Sequence, residues 1–233
     1  MSKPKKKQQN SYNQGKQAAA KASNKPIIFL TLAIVAVVAV IVLGISNQNK
    51  PVNFEYEALP MLGSESAPVK IVEFGDYKCP TCQFFAQNIK PQLDKDFIEM
   101  GKASLYFVNY PFIGRDSTTA ALAAEAVHQQ NKEAFWDYYK AIYDHQQDER
   151  IAWATPDYLV QLAKDANLPI DYDKLKSDID NKTYEKQVNR DAALVRPMNV
   201  QGTPTLFING KKYEGPISYE AIKSAIDKEL EGK

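Results

Sequence analysis

Cys79 and Cys82 are the only cysteines among 233 residues, and Pro80-Thr81 alone separates them. A thiolate is a strong nucleophile and a good leaving group, so two thiols one helical turn apart can form a disulfide or hand one on. Four chemistries fit such a pair. A structural zinc ion asks for about four ligands, and outside the pair only His128 and His145 could join. A purely structural bridge closing so short a loop restrains little of the unfolded chain. Two inert thiols are a third reading. A redox-active dithiol is the fourth, and it is the one that the flanking residues favour.

Those flanks must place the sulfurs. Val69-Lys70-Ile71-Val72-Glu73-Phe74-Gly75 reads as a strand, and Gln83 to Ile89 reads as a helix with Phe85 and Ile89 spaced i, i+4. Cys79 then stands at a helix N-terminus, where unpaired N–H groups and the positive end of the macrodipole favour a thiolate. Its pKa is expected within the roughly 3.5–7.5 range of such sites. Pro80 suits the first turn because it has no N–H to leave orphaned. Cys82, one turn in, is expected to be the more buried, resolving thiol.

The rest of the chain supplies compartment and scaffold. Residues 1–25 carry seven lysines and no acid among Gln, Asn, Ser and Ala, a disordered basic tail that cannot bury a core. Ile27 to Ile45 is apolar apart from Thr31 and Gly44, and its length of roughly 28 Å matches a bilayer core. A signal peptide would have a shorter apolar region of about 7–15 residues. We therefore expect a transmembrane anchor at 26–46, the lysines holding the tail in the cytoplasm and everything beyond it outside. That places the cysteines in an oxidising compartment. Without the seven tail lysines, 22 basic residues face 28 acidic ones, so the outer part is mildly acidic and poorly suited to nucleic acid.

Residues 47–58 read as a spacer and 59–233 as one domain. Ala103 to Tyr110 is a second expected strand. Helices are expected over Ser117–Gln130, over Glu133–Gln146 with Phe135, Trp136, Tyr139 and Ile142 on one side, over Pro156–Asn167 behind a Thr155 cap, and over Tyr172–Val195. Pro91 should kink or end the cysteine helix. Thr205 to Ile208, the turn pair Asn209-Gly210 and Lys211 to Tyr213 form a hairpin signal, and Ser218–Leu230 closes the chain as an amphipathic helix. His128, His145, Trp136 and Trp153 read as packing or surface residues. Asp171, Asp173, Asp178 and Asp180 lack the glycine and terminal glutamate of an EF-hand loop.

This order of elements is α/β and resembles a thioredoxin fold with a helical insertion at about 116–196. Leu62-Gly63, Ala67-Pro68-Val69, the run Glu73-Phe74-Gly75-Asp76-Tyr77-Lys78-Cys79-Pro80-Thr81-Cys82, Ala123-Ala124-Glu125-Ala126, Phe135-Trp136 and Gly202-Thr203-Pro204-Thr205 resemble the DsbA-like thiol:disulfide oxidoreductases of Gram-positive bacteria, the BdbD type. The resemblance covers about residues 59–230.

It implies a catalytic pair, Cys79 and Cys82, with Pro80 and Thr81 tuning the potential. Pro204 would be a cis-proline facing the sulfurs, and the backbone of Thr203 would pair with an extended substrate. Glu73 matches the family's buried acid, which can help move a proton at Cys82; the alternative for it is an edge or solvent-facing glutamate. Thr81 departs from the histidine of the enterobacterial pattern, so an oxidising couple is expected in moderated form. The implied partners are exported cysteine-containing proteins and a DsbB/BdbC-type membrane quinone reductase. No cofactor is required, though the family admits a calcium ion. A membrane-anchored reductase, an isomerase and a thioredoxin-like binding module or chaperone without redox turnover are the alternatives.

Overall fold

Alternation of apolar residues along three segments builds a sheet with both faces covered. Strands β1 (Met61–Gly63), β2 (Val69–Gly75), β3 (Ala103–Asn109), β4 (Thr205–Ile208) and β5 (Lys211–Lys212) lie in the order β1-β3-β2-β4-β5. Only β2 and β3 are parallel, with Val72 opposite Tyr106 and Phe74 opposite Val108. The computed structural model describes residues 30, 34–38 and 51–232, and the chain divides into two units, Met1–Gln48 and Asn49–Lys233. In the first unit Leu30 and residues 34–38 are helical; most of the expected anchor lies outside the described residues. Among the described residues no helix is long and apolar enough to cross a membrane.

Helix α1 runs over residues 80–98. Helices α2 (Arg115–Gln130), α3 (Ala134–Asp144), α4 (Pro156–Asp165), α5 (Tyr172–Asp180) and α6 (Glu185–Ala193) form the insertion between β3 and β4, and α7 (Tyr219–Glu231) closes the fold. Period-two alternation divides β2 between two cores. Val69 and Ile71 join Leu105, Phe107, Phe85 and Ile89 on the α1 side, whereas Val72 and Phe74 join Tyr106, Val108 and Phe207 on the other. Glu73 shares the parity of Ile71 and so points into the first core.

Three expectations are corrected. Of the two outcomes expected at Pro91, a kink or an end, the end does not occur. Helix α1 passes through the proline by adopting π-helical turns at Phe85–Ile89 and Asp94–Ile98 around the α-helical Lys90–Leu93. A widened turn ahead of a proline relieves the clash of its ring with the preceding carbonyls and absorbs the missing N–H. The single helix expected over 172–195 is two helices. Lys182 takes a left-handed conformation, φ 51°, with Lys182 N–H donating to the Ile179 carbonyl and Thr183 N–H to that of Asp178. This is a Schellman stop made without glycine. The spacer at 47–58 also belongs in part to the domain. Phe54 is buried among Phe74 and Phe207, Tyr56 to Ala58 form a 3₁₀ turn, and Val52 N–H donates to Gly210 O at 2.8 Å.

The hairpin turn is as expected, with Asn209 and Gly210 both at positive φ. Gly75, where β2 hands over to the cysteine loop, has no room for a side chain: a Cβ there would run into the ring edge of Phe107 and stand 3.3 Å from Glu73 Oε1. Gly75→Ala should therefore overpack the core by about 1–3 kcal/mol. A chemical-denaturation midpoint unchanged from the parent protein would refute that.

Candidate functional site

The sulfurs stand where β2 gives way to α1. Cys79 is the N-cap of α1, with extended backbone at φ −75° and ψ 120°, and Pro80 occupies the first turn. Asp76 shapes the approach: its carbonyl accepts Cys79 N–H at 2.9 Å, and its carboxylate accepts the N–H groups of Lys78, Phe112 and Ile113 at 2.9–3.0 Å. Both cysteines are free thiols; Cys82 is wholly buried and Cys79 is 6 % exposed.

Thr203 faces Cys79 from the far side of the sequence. The Thr203–Pro204 bond is cis, and Cys79 Sγ lies 3.3 Å from the Thr203 carbonyl, which can accept its proton. The Thr203 hydroxyl is buried and bonds no protein group while Cys79 carries its proton, which leaves it as a donor for the Cys79 thiolate. The Cys79 thiol is held down at about 6, first by a hydrogen bond from Cys82, then by Thr203 and by the N–H groups of Cys82 and Thr81, against opposing desolvation. Burial drives Cys82 the other way, well above the ordinary thiol range, and nearby Glu73 and Cys79 add to the rise.

Glu73 is fully buried one layer beneath. Tyr139 donates its hydroxyl to Oε2 at 2.9 Å, while Oε1 has no partner. Desolvation lifts the carboxyl to about 8, countered by the Tyr139 hydrogen bond and by Lys90. The glutamate is therefore protonated near neutral pH, and the edge or solvent-facing reading is excluded. Around it Tyr77, Phe107, Tyr139 and Tyr143 form a wall with centroid spacings of 4.8–6.3 Å.

The structure thus brings Cys79, Pro80, Thr81, Cys82, Thr203 and Pro204 together at one end of the sheet, with Glu73 behind them. Sequence reading missed Tyr139, which it saw only as one of an apolar stripe, and Asp76, whose place in the run before the cysteines was visible but whose hydrogen bonds were not. His128 packs edge-on against Phe135, and His145 bonds the Ala141 carbonyl at its own helix end. Asp171 caps α5, and Asp178 and Asp180 pair with Lys174 and Lys176. Among the described residues no three His, Cys, Asp or Glu side chains are grouped to hold a metal ion.

Comparison with known proteins agrees with the fold. The profile of the family described as thioredoxin matches residues 56–228. A probable disulfide bond formation protein D of Bacillus anthracis is 37% identical over 216 residues, covering 90% of this chain and 99% of that protein. Disulfide bond formation protein D of Bacillus subtilis is 42% identical over 174 residues, 75% of this chain and 78% of its own. The crystal structure of oxidised BdbD from Bacillus subtilis superposes with a TM-score of 0.74 at 39% identity, covering 78% of this chain and 98% of that one.

A depressed Cys79 pKa stabilises the reduced fold as pH rises from about 6 towards the ordinary value of 9.0, and that stability is lost as pH falls through about 6. Ultraviolet thiolate absorbance of the reduced protein should show one thiolate with a midpoint of about 6, Cys82 staying protonated well beyond it. The melting temperature of the reduced form should climb relative to the oxidised form across the same interval. Two thiolates titrating together near 9 would contradict the assignment.

Proposed function

This chain belongs to the DsbA-like disulfide bond formation proteins of the thioredoxin superfamily and is a thiol:disulfide oxidoreductase; from that premise we propose that it is a membrane-anchored oxidase of exported proteins. The observation that carries the direction is the unequal pair of thiols, one poised to ionise at about 6 and the other held neutral.

In the oxidised protein a substrate thiolate attacks Cys79 Sγ, forming a mixed disulfide and expelling Cys82 as the thiolate. Glu73 lies close enough to Cys82 to raise its pKa and has one carboxyl oxygen without a partner, so it serves as the group that gives or takes the Cys82 proton. A second substrate thiolate then attacks the substrate sulfur, releasing an oxidised substrate and Cys79 as its thiolate. Two electrons pass from substrate to the pair. Because the Cys79 thiolate is stabilised, it is a good leaving group and the reduced protein lies low, which favours oxidation of the substrate. Thr81 supplies only its backbone N–H, so the couple is expected to be oxidising but less so than one with a histidine there.

Thr203, with Pro204 beside it, is the proposed docking edge for an extended substrate segment. Phe112 and Ile151, both about half exposed, sit on segments bonded to the cysteine loop and give a polypeptide client an apolar surface. The exchange needs no cofactor. Renewal of the disulfide calls for an external acceptor, for which a DsbB/BdbC-type membrane quinone reductase is the proposed partner. Anchoring rests on the apolar run 27–45 and its lysines. The match to the Bacillus anthracis relative is too long to leave that run out.

Cys79→Ala should abolish oxidation of a reduced, unfolded test protein, and Cys82→Ser should accumulate mixed disulfides through Cys79. Equilibration with glutathione should place the couple above roughly −180 mV, away from the roughly −270 mV of thioredoxin. A thioredoxin-like potential would leave an anchored reductase as the better reading, and turnover surviving Cys79→Ala would leave a binding module.

Topology has its own test. Protease added to intact protoplasts should remove the domain beyond residue 47 and spare the lysine-rich tail. Protection of the domain would reverse the orientation, and release of the intact domain into the medium would show cleavage.

A further inference from the structure

The residue next to the reactive sulfur is a buried lysine. Lys78 is 2 % exposed, and its ammonium donates to Asp116 Oδ1 at 2.5 Å and to the Ile151 carbonyl at 2.9 Å. Asp116, in the first turn of α2, also accepts Ala154 N–H through Oδ2 at 3.0 Å. An unpaired cation here would be an obvious electrostatic partner for a thiolate. This one is consumed by the insertion, and the groups that hold Cys79 down are hydrogen bonds from Cys82, Thr203 and the backbone.

Two further contacts run the same way. Gln146, just past α3, donates its amide to the carbonyls of Tyr77 and Cys79 at 2.8 and 3.1 Å, and Tyr143 donates its hydroxyl to that of Asp76 at 3.2 Å. The loop 76–79 is thus held from the insertion at Asp76, Tyr77, Lys78 and Cys79. Gly114 makes room for the ion pair. A Cβ there would stand 2.8 Å from Lys78 Nζ and 2.9 Å from Asp116 Oδ1, although its backbone, at φ −142°, is open to any residue. A buried ion pair rarely stabilises a fold more than apolar packing of the same volume would, and its better-attested use is to fix one arrangement.

We propose that Lys78, clamped by Asp116 and the Ile151 carbonyl in the space left by Gly114, is a positioning residue for thiol–disulfide exchange, fixing the loop so that the helical insertion forms part of the redox centre. The inference rests on the oxidoreductase reading, but its measurements use the protein's own thiols and need no substrate. Two variants test it in the full chain: Lys78→Met, which replaces the ammonium with an apolar tip, and Gly114→Ala, which displaces it without changing any charge.

In Lys78→Met the thiolate midpoint should rise by about half a pH unit or more, a roughly threefold change in the ionisation equilibrium. The glutathione equilibrium should move in step towards the disulfide form. Gly114→Ala should move both in the same direction by less. Should Lys78→Met fail to fold, Gly114→Ala decides. If the folded variants melt lower but keep the parent midpoint and glutathione equilibrium, the pair is packing alone and the proposal falls. Absence of turnover on protein substrates by the parent protein would instead overturn the oxidase reading and leave these two measurements standing.

Discussion

The redox centre accommodates one negative charge. Cys79, Cys82 and Glu73 are three acids in a buried space: Glu73 and Cys79 both raise the cost of ionising Cys82, and Cys79 raises that of ionising Glu73. In a medium of low effective dielectric such coupling is strong. The charge settles on Cys79 because that sulfur alone sits at a helix start with donors aimed at it. Once Cys79 is tied up in a mixed disulfide that charge is gone, and the penalty on its neighbours eases. In the proposed mechanism this is when Cys82 leaves as a thiolate and has to gain a proton, and Glu73, protonated near neutral pH, is the acid within the same layer.

The sheet and the insertion make that space. β2 carries Glu73 inward by alternation, Gly75 lets the chain turn under Phe107, and Tyr77, Tyr139 and Tyr143 close the wall around the sulfurs. Tyr139 does two jobs: its ring fills the core and its hydroxyl satisfies one carboxyl oxygen. The aromatic wall keeps Cys82 and Glu73 from water, which is why both are pushed towards their neutral forms.

Much of this was legible in the residues. A lone C-x-x-C after a strand and before a helix fixes the catalytic geometry through local rules, and Asn209-Gly210 fixes the hairpin the same way. What stayed hidden depends on partners distant in sequence. Phe54 looked like part of a spacer because nothing near it shows that Phe74 and Phe207 leave a place for it. Pro91 was expected to kink or end the helix because a π-helical turn, which lets the helix continue through it, has no sequence signature of its own. The stop at Lys182 was invisible because lysine is an unusual residue for a left-handed position. Lys78 and Asp116 are 38 positions apart, and neither announces a buried pair.

The absence of a histidine at position 81 changes what the site depends on. A charged or strongly polar side chain acts on a thiolate over several ångströms, and its effect weakens only gradually as it shifts. None of the leading influences that hold Cys79 down is a formal charge; they are hydrogen bonds from one thiol, one threonine and two backbone N–H groups. Hydrogen bonds weaken steeply as distance and angle drift. A thiolate held this way is sensitive to small movements of the loop 76–79. The dense set of contacts on that loop, from the Asp76 carboxylate to Gln146, Tyr143 and the Lys78 ion pair, then has a physical reason: where orientation rather than charge sets the reactivity of a sulfur, rigidity of the backbone around it is part of the chemistry.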